Sequence, residues 1–154
     1  MNKKIMNQNI NIILAIIGGV FLAMQGGFNA QLGVQLRNPL MASLVAFFFS
    51  MVFALLMVLL SLKSLPKASV LFGIPKYLWF TGALFSVIGI CLYYYTIPKL
   101  GISTMISLGL FGQLLFSVIA GHHGWFGMPQ EPMELKRILG MVAMCIGILL
   151  IKEN

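Results

Sequence analysis

Long apolar runs separated by short polar or proline-containing segments organise the chain. A bilayer-spanning helix needs roughly 20 predominantly apolar residues. Five stretches reach or approach that length: residues 10–36, 40–62, 77–97, 102–121 and 135–151. Helices are the element they predict, because hydrocarbon offers no water to satisfy an open backbone. The first run is overlong. It is expected to tilt, to kink near Gly26-Gly27, or to project beyond the bilayer. Arg37-Asn38-Pro39 predicts a tight turn, with Pro39 opening the next helix. Residues 63–76 read as a connecting segment, with Pro66, Pro75 and three lysines. A sharp break is expected over Thr96 to Gly101, around Pro98. The fifth run is short, and Lys136 and Arg137 at its start must reach the interface.

Polar positions inside these runs are few, so each one counts. Gly18 to Gln35 holds Gln25, Asn29, Gln31 and Gln35 together with five glycines. Gln25 and Asn29 are four apart and share a helix face, with Gly18, Phe21, Leu32 and Gly33 close to that stripe. Two amides between small residues suit the lining of a substrate pathway, and equally a tightly packed helix seam. In the third run Gly82, Ser86, Gly89, Tyr93 and Thr96 recur at helical steps as one small, hydroxyl-bearing face. Tyr93-Tyr94-Tyr95 reads as an interfacial belt, and Tyr93, which continues the small face, is the one assigned to a site. In the fourth run Ser103 and Ser107 share a face, and Gln113 lies near mid-span, where it should bond across helices or meet a cavity. Ser43 and Ser50 of the second run read as packing positions. Gly140, Ala143 and Gly147 form a small-residue stripe, a candidate helix-packing or dimer face.

Composition places these runs in a membrane. Of the 154 residues 60% are hydrophobic and 8% charged, against about 25% charged in soluble domains. The formal charge of +7 is spread singly between apolar runs, as in loops flanking spans, so a nucleic-acid patch is excluded. Lys3 and Lys4 before an apolar run resemble a signal peptide. The run continues to Leu36 with no clear cleavage site before Gln25, so a retained first span is expected. Cys91 and Cys145 fall within spans and read as small buried residues.

The absent chemistry narrows the function. Glu131, Glu134 and Glu153 are the only acidic residues, and none lies in a span core to carry a proton through the membrane centre. No His, Cys and carboxylate cluster has metal-ligand spacing, and no nucleophile comes with a base at recognisable spacing. No phosphate-binding glycine loop is present. Neither an enzyme nor a metal or organic cofactor is expected. His122 and His123 are adjacent, and on a helix they point about 100° apart, so they do not pair on a metal. They read as a helix end at the interface, and as candidates for pH sensing, histidine being the residue type that titrates near neutrality.

The runs resemble the YdcZ-like family of small bacterial membrane proteins in the drug/metabolite transporter superfamily. The resemblance rests on Met24-Gln25 through Asn29-Ala30-x-Leu32-Gly33, and on Asn38-Pro39-Leu40 with Phe48. It continues through Pro98-Lys99-Leu100-Gly101 and Gly112-Gln113-Leu114 to His122-x-Gly124-Trp125-Phe126-Gly127-x-Pro129, then Pro132, Arg137 and Gly140. Gly121 departs from it, standing where the family commonly carries an acidic residue. The resemblance implies an all-α, five-helix membrane domain covering residues 1–154 and forming half of a ten-helix assembly.

The expected function is therefore a transporter subunit of the inner membrane, moving a small metabolite or drug-like compound past Gln25, Asn29, Tyr93, Ser107 and Gln113. A non-transporting accessory subunit and a small passive channel are the competing readings. With five spans the termini lie on opposite sides of the membrane, so an inverted repeat must come from a second chain in opposite orientation. Lys3, Lys4, Lys63, Lys67, Lys76, Lys136 and Arg137 fall on one side, and Arg37, Lys99 and Lys152 on the other. The positive-inside rule then puts the N-terminus in the cytoplasm, and the bias favours a separate partner over a self-inverted pair.

Overall fold

The computed structural model describes residues 3–61 and 66–152. Among these the regular structure is entirely helical. Six α-helices follow one another: α1 Lys3–Gln35, α2 Pro39–Ser61, α3 Ala68–Gly73, α4 Thr81–Leu100, α5 Ile102–His122 and α6 Leu135–Lys152. Single 3₁₀ turns at Lys76–Trp79 and Trp125–Gly127 lead into α4 and out of α5. Four segments are long and apolar enough to cross a membrane: Gln8–Gln35, Pro39–Ser61, Lys76–Leu100 and Ile102–His122. α6 falls outside that set because its 18 residues include Lys136, Arg137 and Lys152. The expected end of the second run at Leu62, and Lys63, lie outside the described residues. The connecting segment contains α3, which the sequence reading did not anticipate.

The chain divides into two compact units, Met1–Lys99 and Leu100–Asn154. In the first, α1 runs unbroken through Gly26-Gly27 for 33 residues. That is about 50 Å at 1.5 Å per residue, well beyond a hydrocarbon core of about 30 Å. Residues 8–22 are exposed on every face, and packing begins near Ala23. The turn into α2 is closed from both sides. Asn38 donates its backbone N–H to Gly33 at 3.0 Å, and Arg37 takes the left-handed φ of 51° that reverses the chain. Asn38 Oδ1 then accepts from the N–H groups of Leu40 at 2.9 Å and Met41 at 3.2 Å. This N-cap satisfies donors a helix start leaves open, with Pro39 at the position where no donor is needed.

Small residues let the helices of this unit approach. A Cβ at Gly33 would lie 3.5 Å from Ala42 Cβ, 3.6 Å from Pro39 Cα and 3.9 Å from Tyr94 Cβ. Ala30, Ala42, Ser43, Tyr94 and Ile97 are buried around that approach. α4 was expected to end at Ile97 but continues through Pro98 to Leu100. Pro98 sits in the last turn, where its missing N–H forfeits one bond rather than breaking a ladder. The stop falls at Gly101, whose φ of 79° and ψ of 153° suit glycine almost alone.

In the second unit α5 and α6 are joined by a strap that folds back on α5. His123 donates to Ile119 at 3.2 Å, and Gly124 and Glu131 donate to Gly121 at 3.1 and 2.9 Å. Gly124 has φ 63°, and a Cβ there would meet Gln130 Cγ at 2.8 Å, so the tight turn requires its bare backbone. On α6 the less exposed positions are Arg137, Met141, Met144, Cys145, Gly147 and Ile148, most of them on one helical face. Gly140 and Ala143 are exposed and Gly147 half-buried, and a Cβ at either glycine would meet nothing within 4 Å.

Most large apolar side chains of the described residues are exposed, Leu60 and Phe72 to 89%. In water such a surface would drive association. Against acyl chains it is the ordinary exterior of a membrane protein, where helices are held by close packing and buried hydrogen bonds.

Candidate functional site

The polar focus of the first unit is Tyr94, the largest fully buried side chain. Asn29 Nδ2 donates to its hydroxyl at 2.9 Å, joining α1 to α4. Gln25, one turn earlier on α1, lies on the same side of the helix and is half-buried. The ring fits because α1 presents Gly26, Ala30 and Gly33 as a buried small stripe. Gly33 lies beside Tyr94, and a Cβ at Gly26 would lie 3.5 Å from Ile97 Cδ1. Gln25 and Asn29 flank that stripe and remain half-buried. One turn away, Ser43 Oγ donates to the Pro39 carbonyl at 2.9 Å and lies 3.3 Å from Cys91 Sγ, a second polar contact in the seam of α2 and α4.

Tyr94 is therefore not an interfacial belt residue. The inward face of α4 is Cys91, Tyr94 and Ile97, about 100° round from the small face expected to carry Tyr93. Tyr93 is half-buried, and the Tyr95 ring is exposed beneath Lys99 Nζ, 3.4 Å from its centroid. Such a cation–π contact holds the Lys99 charge at the end of the span. The missed signal was complementarity: a glycine-rich stripe on one helix needs a bulky residue on another.

On α5, Ser107 is half-buried and its hydroxyl donates to the Ser103 carbonyl at 2.8 Å, leaving its lone pairs for an incoming donor. Gln113 is exposed on α5. The strap after α5 carries the aromatic residues. His122 ends the helix and His123 stacks on Trp125, ring centroids 5.7 Å apart at 19°. His122 and His123 meet edge to face at 5.1 Å. Arg137 Nη2 pairs with Glu131 Oε2 at 2.7 Å. Among the described residues no three His, Cys, Asp or Glu side chains gather to hold a metal.

The four spans, the lipid-facing exterior and the buried polar seam describe a multi-pass membrane protein. The profile of the family described as "Putative inner membrane exporter, YdcZ" matches residues 10–150. The chain belongs to the YdcZ family. That agrees with the resemblance carried by Gln25, Asn29, Pro98-Lys99 and His122-x-Gly124-Trp125, all inside the matched residues. The YdcZ family is named for export across the inner membrane and not for catalysis. No curated protein and no solved structure matches the chain.

Proposed function

We propose that this YdcZ-family chain is half of an exporter for small, largely apolar compounds. α6 serves as the fifth span: its apolar body is about 21 Å long, and Lys136, Arg137 and Lys152 at its ends reach on to the interfaces. The observation that carries the reading is a pair of half-buried amides, Gln25 and Asn29, kept within a span, with Asn29 held by Tyr94. Uncharged hydrogen-bonding groups in an apolar setting orient a drug-like substrate without trapping it by charge. Tyr93, Ser107 and Gln113 complete the proposed pathway, with Tyr94 as the residue that positions Asn29.

The mate is a second five-helix chain of opposite orientation. A separately encoded partner is favoured over a self-inverted pair, because seven basic residues against three bias this chain towards a cytoplasmic N-terminus. C-terminal reporter fusions test that orientation. Cross-links showing every chain parallel within a functional pair would defeat the inverted arrangement.

One observation favours the accessory-subunit reading: the Asn29–Tyr94 bond spends an amide on holding two helices together. Flux from liposomes containing the purified chain and its mate separates the alternatives. Accumulation driven by an ion gradient supports the exporter, purely dissipative flux a channel, and no flux of any compound the accessory subunit.

A further inference from the structure

The strap and the two helices of the second unit enclose an open groove of about 770 Å³ that the pathway above does not use. Its walls come from Phe116 and Val118 of α5, Trp125, Phe126 and Glu131 of the strap, and Arg137 of α6. That volume lies within the range of small-molecule sites, about 300–1,000 Å³. Phe116 packs at 6.1 Å against both Trp125 and Phe126, so three rings form one cluster. Phe126 is 75% exposed and is held at φ 60°, a setting a bulky residue rarely adopts. The strap is fixed beneath it by the Glu131–Gly121 backbone bond.

The polar end of the groove is the Glu131–Arg137 pair, and its two partners are not equally available. The Glu131 side chain is 58% exposed and the Arg137 side chain 37%, so the pole turned outward is the carboxylate. Aromatic faces beside an outward carboxylate attract cations, through the ring quadrupoles and through charge. The groove sits at the C-terminal end of α5, about 31 Å along that helix, and so at headgroup depth. An amphiphilic cation partitions to that depth.

We propose that this groove binds a hydrophobic organic cation, its apolar body against Phe116, Trp125 and Phe126 and its positive charge against Glu131. The proposal deepens the export reading by naming a substrate class, and rests on that reading only for transport of the bound molecule. Binding is tested first, by titrating tetraphenylphosphonium into the protein in nanodiscs. The fluorescence of Trp125 reports it in a Trp79→Phe background, since the chain has two tryptophans. Saturable quenching is expected, and tetraphenylborate, near in shape but opposite in charge, should not saturate. Glu131→Gln should weaken binding about tenfold or more, as loss of a charge-assisted contact does. Arg137→Gln should leave it unchanged or tighten it, because the carboxylate is released from its partner. A purely structural ion pair would make both variants fail alike, and that result overturns the proposal. Equal binding of the phosphonium and the borate also overturns it, as does displacement of the phosphonium by zwitterionic lipid alone. Liposome flux of tetraphenylphosphonium is then measured separately. Binding without flux of any compound would sink the export reading and keep the site. Flux of other compounds with no phosphonium binding would sink the site and keep export.

Discussion

Tyr94→Phe isolates the bond on which the first unit's polar seam depends. The ring stays in place and only the hydroxyl that accepts from Asn29 Nδ2 at 2.9 Å is removed. Tyr94 is 2% exposed, so neither lipid nor water replaces the lost group. Interhelical hydrogen bonds in membranes contribute about 0.6 kcal/mol on average and up to about 1.7. Asn29 is half-buried, so its amide loses a partner where little water can replace it. The single substitution is therefore expected to cost about 1 kcal/mol, within that range. Tyr94→Ala removes the whole ring from its glycine-lined seat and should cost about 3–5 kcal/mol. The assay is unfolding of the purified chain by SDS titration in mixed micelles, followed by circular dichroism. A double-mutant cycle with Asn29→Ala should give a coupling energy of about 0.6–1.7 kcal/mol. Additivity within about 0.3 kcal/mol would refute the claim that Asn29 and Tyr94 act on each other.

Three further outcomes are expected. Gly33→Leu should destabilise the first unit by about 1–3 kcal/mol through overpacking, whereas Gly33→Ala should be mild, its Cβ meeting Ala42 and Pro39 at ordinary contact of 3.5 and 3.6 Å. The same SDS titration reads both. Gly124→Ala should cost about 1–2 kcal/mol, because φ is 63° and the new Cβ would press on Gln130 Cγ at 2.8 Å; protease nicking of the strap would report it, and an unchanged cleavage rate would contradict it. Replacing His122 and His123 together by Asn should alter the dependence of transport on pH, the role proposed for the pair. An unchanged profile would remove both histidines from the mechanism.

How far the sequence reached varies with the physics of each element. The spans of α1, α2, α4 and α5 were legible because hydrocarbon demands length and apolarity, and those are written in the residues themselves. The turn at Arg37-Asn38-Pro39 was legible from its residue types, although the cap made by Asn38 was not drawn from them. Boundaries were less so: α4 passes Pro98 because one missing donor in a last turn is tolerated, and Gly101 makes the stop. The family came through the ordered set of short motifs from Met24 to Gly140, each weak alone. Partners across helices were the hardest to read. Gln25 and Asn29 stood out as amides in an apolar run, but nothing in α4 alone separates Tyr94 from Tyr93. Only the Gly26–Ala30–Gly33 stripe, which seats a bulky ring, selects Tyr94. The Glu131–Arg137 pair was hidden for a similar reason, since the partners stand six positions apart across strap and helix start and only the fold brings them to 2.7 Å.

The central claim is that the amides of α1 handle substrate, and Gln25→Leu tests it most directly. The chain and its mate would be reconstituted in liposomes with a pooled set of small metabolites and organic cations, and the movement of each compound followed by mass spectrometry under an imposed proton gradient. The account predicts that at least one compound accumulates against its gradient, and that Gln25→Leu abolishes this while leaving the SDS unfolding curve close to that of the unsubstituted chain. Undiminished accumulation by the Gln25→Leu protein would contradict it.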